Sequence, residues 1–137
     1  MFKDFNISSF KKMKPPGDNT FDTMQEVKEL ESIPLNKKFV RDNDDIEAAF
    51  KKTAKDNGVE DYDDKTAAKL IKESAPVILE LKKHFNRPRP KVMAKKMNIN
   101  MKDVEMKSMK TPSYPSGHSV QGVLIAKVLG DKYPKAR

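Results

Sequence analysis

The segment from Ser116 to Leu129 constrains the fold more than any other. Val120, Val123, Leu124, Ile125, Ala126, Val128 and Leu129 surround most of the circumference of a helix there. A helix that is apolar on every side belongs at the buried centre of a bundle. The chain offers few partners to cover it. Of its 137 residues, 36% are hydrophobic and 35% charged. The expectation is at most one domain, with a small helical core under a heavily solvated surface or as part of a larger fold. Strand signals are weak throughout, and no internal repeat is present.

The other elements follow from caps and breakers. Residues 1–20 read as an irregular arm, with a breaker cluster at Lys14-Pro15-Pro16-Gly17-Asp18-Asn19. Thr20 or Asp22 would cap a helix from about Thr23 to Ser32, ended by Pro34. The acidic run Asp42 to Asp45 suits the positive end of a second helix reaching about Asp56, which Asn57-Gly58 would stop. A third helix from about Asp64 to Phe85 carries Ile71, Ala75, Ile78, Lys82 and Phe85 on one stripe. Pro76 lies inside it and predicts a kink or break near Ser74. Residues 91–112, with Met93, Met97 and Met101 spaced by four, allow a short helix with a methionine face, but the favoured reading is a flexible connection with a partly buried methionine stripe. The last helix should start at Ser116 and stop at Gly130.

Composition removes several classes of function. Without cysteine there is no disulfide framework and no thiolate metal site. Two histidines, His84 and His118, do not make a dedicated zinc site. No run is long enough to span a bilayer, and the first residues lack the apolar core of a signal peptide. The expectation is a soluble chain, cytoplasmic as given, or periplasmic if a signal was removed. Charge is unevenly spread. Residues 18–64 hold seven basic and fourteen acidic side chains, whereas residues 65–137 hold seventeen basic and five acidic, a net +12. The basic part attracts anions. Few aromatics interleave its cations, and the acidic stretch repels DNA, so nucleic acid ranks last among the partners.

Two motifs carry the chemistry. In Ser116-Gly117-His118-Ser119, serine is a favoured N-cap and glycine leaves the approach open. The first N–H groups of the helix then have no partner within it, a ready-made phosphate site beside an imidazole. Read alone, the motif favours a plain N-cap with a surface histidine. In Lys82 to Pro90, Lys82 lies on the apolar stripe, and Arg89 sits between two prolines. Lys82 either snorkels to the surface or is held inward for an anion. Arg89 is either part of a solvated basic turn or a fixed fork for phosphate oxygens.

Taken together, the Lys82, Arg89, Pro90 spacing and the later Pro115-Ser116-Gly117-His118 run resemble the first two signature motifs of the type 2 phosphatidic acid phosphatase superfamily. The closest branch is the bacterial class A non-specific acid phosphatases, which are related to the vanadium haloperoxidases. Tyr133-Pro134 after the apolar helix, and Pro15-Pro16 near the start, add to the resemblance. It implies an all-α bundle of the acid phosphatase/vanadium haloperoxidase type, represented by its N-terminal portion over residues 21–137. It implies that Lys82, Arg89, Ser116 and Gly117 bind phosphate and that His118 is the general acid. No metal or cofactor is implied, and vanadate should act as a phosphate mimic. The family's third motif supplies a further arginine, the nucleophilic histidine and its aspartate. No segment of this chain matches it, so the nucleophile is expected beyond residue 137. The reading is a phosphomonoesterase acting on phosphate monoesters. The alternative is an inactive phosphate-binding homologue or fragment. A homodimer, or a complementing C-terminal segment, would be the protein partner.

Overall fold

A computed structural model describes residues 4–103 and 105–137. Residues 1–3 of the N-terminal arm and Val104 of the 91–112 connection lie outside the described residues. The described chain is all-helical, with no strand among the described residues. Its α-helices are α1 (Ile7–Phe10), α2 (Phe21–Ser32), α3 (Lys37–Asn43), α4 (Ile46–Asp56), α5 (Asp64–Phe85), α6 (Pro90–Lys96) and α7 (Gly117–Gly130). Single 3-10 turns occupy Lys107–Lys110 and Pro134–Ala136.

The starts are set by side-chain caps. Thr20, Asn36, Asp45 and Asp63 accept the N–H of Thr23, Phe39, Ala48 and Thr66, respectively, at 3.0–3.3 Å. The acidic run at 42–45 therefore divides two helices: Asp45 caps α4, and α3 precedes it under its own asparagine cap. Helix α4 ends at Gly58, whose φ of +80° lets Val59 N–H reach the Ala54 carbonyl at 2.9 Å.

Helix α5 is the spine. It runs unbroken through Pro76, so of the kink or break expected near Ser74 the break does not occur. Pro76 and Lys72 both lie on the exposed side, where water can satisfy the carbonyl that proline leaves without a donor. The buried line on α5 is also rotated from the expected stripe. It passes through Ala67, Leu70, Ser74, Ile78 and Leu81, and Lys82 lies beside it. Ser74 can be buried because its hydroxyl donates back to the Ile71 carbonyl at 3.0 Å.

Two apolar clusters flank this spine. Leu70, Ala67, Ala54, Val59, Ile125, Leu129 and Tyr133 join α4, α5 and α7. Val27, Met93 and Ala94 join α2 and α6, with Met97, Ile99 and Met101 against them. The methionine stripe therefore belongs to an ordered helix and its following turn, where a flexible connection was expected. Pro90 at the first helical position starts α6, because proline needs no partner for an N–H there.

Helix α7 does not lie at the centre of a bundle. Ile125 and Leu129 are buried, but Val123 is 57% exposed and Val128 40%. Helices α5 and α4 cover one side of it and leave the other bare. Gly130 is its last residue rather than its stop, and Asp131 keeps helical dihedrals at the cap. No described helix is long and apolar enough to cross a membrane.

Candidate functional site

The site forms where the C-terminal end of α5 meets the N-terminal end of α7. Asn86 terminates α5 in the left-handed conformation, φ 46°, with its N–H on the Lys82 carbonyl at 2.8 Å. The chain leaves through Arg87-Pro88-Arg89-Pro90, and Arg89 becomes the N-cap residue of α6. The segment before α7 lies across this exit. Ser113 donates its N–H to the Arg87 carbonyl at 2.9 Å and its hydroxyl to the Pro88 carbonyl at 2.9 Å. These bonds fix the approach of Ser116 to the two cations.

Lys82, Arg89, Ser116, Gly117 and His118 all line one open cavity of about 470 Å³. Helix α3 and the 3-10 turn at 107–110 complete its wall. Thus 30 or more residues of sequence separation between Lys82 and the Ser-Gly-His run close onto a single space.

The cations are held by neutral oxygens. The Lys82 ammonium, on a residue only 4% exposed, donates to the Pro112 carbonyl at 2.5 Å. Arg89 donates through Nε to the Thr111 carbonyl at 2.8 Å and through a terminal nitrogen to the Ser108 carbonyl at 3.3 Å. Among the described residues, neither has a carboxylate within ion-pair distance. Burial, and then the neighbouring Arg89 charge, pull the Lys82 pKa down to about 8. Burial also lowers the pKa of Arg89. A carbonyl dipole offsets only part of the cost of a buried cation, so two such cations side by side favour an anion between them.

The mouth of α7 differs in one detail from the sequence expectation. The Ser116 hydroxyl oxygen accepts the Ser119 N–H at 3.2 Å, so that N–H is occupied by the cap. The N–H groups of Gly117 and His118 stay open at the positive end of the helix dipole, and the Ser116 hydroxyl proton can still be donated. A methyl group built on Gly117 would meet only Ile78 Cγ2, at 3.8 Å. The fold itself therefore leaves room for a side chain at Gly117.

The His118 ring lies on α3's end: Nε2 is 2.6 Å from the Asp44 carbonyl oxygen and 3.8 Å from an Asp44 carboxylate oxygen. That carboxylate also accepts the Ser108 hydroxyl at 2.6 Å. Asp44 thus joins three walls of the cavity, and sequence reasoning missed it. Its only signal was membership of the acidic run at 42–45, which reads as a helix start and gives no hint of a histidine 74 residues later. His84 lies elsewhere, in a separate surface depression with Lys14, Pro15, Pro16 and Arg87. Among the described residues, no cluster of three histidine, cysteine or carboxylate side chains could hold a metal ion.

No family model, no curated protein and no solved structure matches this chain.

Proposed function

We propose that the chain carries the phosphate site of a phosphomonoesterase of the acid phosphatase type, within the type 2 phosphatidic acid phosphatase superfamily. On this reading its helices are the N-terminal portion of that bundle. Lys82 and Arg89 neutralise a phosphate dianion, which the open N–H groups of Gly117 and His118 and the Ser116 hydroxyl also bind. Charge that builds on the phosphoryl oxygens during transfer is stabilised by the same groups. His118 protonates the leaving alkoxide, a role that falls to Nδ1 while Nε2 stays on the Asp44 carbonyl. The nucleophile that attacks phosphorus comes from a segment outside these 137 residues.

The observation that carries the reading is the convergence of two buried or fixed cations, a helix mouth and an imidazole on one cavity. Both cations also tie the 108–112 segment in place, but that structural role does not require an imidazole and an open helix mouth on the same cavity. A buried lysine and an arginine with only neutral oxygen partners cost stability unless an anion joins them.

A second reading has its own support. His118 is the only imidazole on the cavity wall among the described residues. A chain that binds phosphate without hydrolysing it needs no more. One pair of measurements separates the two. Inorganic phosphate should raise the melting temperature of the 137-residue chain, and Lys82→Ala or Arg89→Ala should abolish that protection. Turnover of a chromogenic phosphomonoester at mildly acidic pH, blocked by vanadate, by a chain extended beyond Arg137 selects the enzyme. Protection without turnover selects the binding protein, and absence of phosphate protection removes both.

A further inference from the structure

We propose that this site selects phosphomonoesters whose alcohol bears an aromatic or compact apolar group, with Phe39 as the specificity-determining residue; the inference rests on the phosphate-site reading above. The cavity is larger than a tetrahedral oxyanion requires, and Phe39, Val40, Met106 and Met109 are the apolar side chains among those that line it. Phe39 is 63% exposed, an unusual position for so large a ring. Its backbone is nevertheless pinned on both sides. Its N–H is donated to the Asn36 side-chain oxygen at 3.0 Å, and its carbonyl accepts the Asn43 side-chain N–H at 2.8 Å. The backbone that carries the ring is therefore fixed on α3, and the ring lines the cavity without being packed into the core.

The polar groups of the same wall are largely engaged within the protein. Asn43 is spent on the Phe39 carbonyl, the Asp44 carboxylate on Ser108, and the Asp44 carbonyl on His118. Gln121 also lines the cavity, so what this wall offers an alcohol is one amide beside an aromatic face and two thioether side chains. Methionine adapts to the outline of an apolar group, and an aromatic ring stacks on another at little entropic cost. A sugar or other polyol placed there would give up water for few hydrogen bonds.

The test uses non-hydrolysable probes of equal charge on the full chain: phenylphosphonate and hydroxymethylphosphonate, with inorganic phosphate as the reference, each titrated by calorimetry at pH 7. Phenylphosphonate should bind about tenfold more tightly than hydroxymethylphosphonate, the scale of one stacked aromatic contact with its buried area. Phe39→Ala should reduce that ratio to within about twofold, and Phe39→Trp should keep it. Because Phe39 is mostly exposed, both variants should fold, which circular dichroism checks. Equal affinities for the two phosphonates, or a ratio unchanged in Phe39→Ala, overturn the inference while phosphate binding stands. Failure of all three probes to bind overturns the phosphate site itself.

Discussion

Replacing Lys82 with methionine separates a residue kept for a ligand from one kept for the fold. Wild-type Lys82 is 4% exposed as a residue, and its pKa falls from 10.5 to about 8, through burial first and Arg89 second. A displacement of that size corresponds to about 3 kcal/mol against the charged form at neutral pH. The hydrogen bond to the Pro112 carbonyl returns about 1.5–3 kcal/mol of this when present, and methionine forfeits it. The thioether replaces most of the lysine stem. Lys82→Met should therefore match or exceed the wild type at pH 7, by up to about 2 kcal/mol, while losing protection by phosphate. The pH dependence follows from the same displacement. Below pH 8 folded and unfolded chains both hold the proton, and the cost of the buried charge is fully present. Between about pH 8 and 10.5 the unfolded chain holds the proton and the folded chain does not, so wild-type stability rises with pH. The variant lacks that rise, and its advantage should shrink across this window. Urea unfolding at pH 7, 8, 9 and 10 measures it. A loss of more than about 2 kcal/mol at pH 7, with a wild-type minus variant difference independent of pH, would show that Lys82 is a structural tie to Pro112.

Three further outcomes follow from the same structure. Ile125, at 0% exposure in the α4/α5/α7 cluster, should cost about 2–5 kcal/mol when cut to alanine, read as a lower urea midpoint at unchanged slope. Asp63 caps α5, and hydrogen bonds from the Thr66 hydroxyl and N–H, with one from Lys132, hold its pKa at about 2. Its contribution is present above the ordinary carboxylate value of 3.8 and lost as pH falls through about 2, so Asp63→Ala should lower the melting temperature at pH 6 and approach the wild type at pH 2. Arg89→Lys should weaken phosphate binding at least tenfold in calorimetry, because one ammonium cannot replace a planar fork fixed between two prolines.

The sequence made some of this legible and hid the rest for identifiable reasons. The limits of α5 and α7 were readable because Asn86 precedes a proline pair and Ser116 is a natural cap. The five candidate residues came from two short motifs, each weak alone, and from the family that the pair resembles. Their sharing one cavity depends on Ser113 bonding to residues 87 and 88, and no local pattern encodes that contact. Helix α3 was hidden because it is seven residues long and buries none of them. Phe39 and Asp44 were hidden with it. The bare side of α7 could not be foreseen from its composition. Periodicity reports which sides could be buried, and only the packing of α4 and α5 decides which one is.

The central claim is that the helix mouth at Gly117 and the cations Lys82 and Arg89 form one anion site. Titration of the 15N-labelled chain with inorganic phosphate tests it most directly. The amide resonances of Gly117 and His118 should shift along a single saturable curve, and Lys82→Ala or Arg89→Ala should abolish the curve while leaving the rest of the spectrum in place. Amides at 117 and 118 that stay fixed, or move without saturating in wild type and both variants alike, would contradict it.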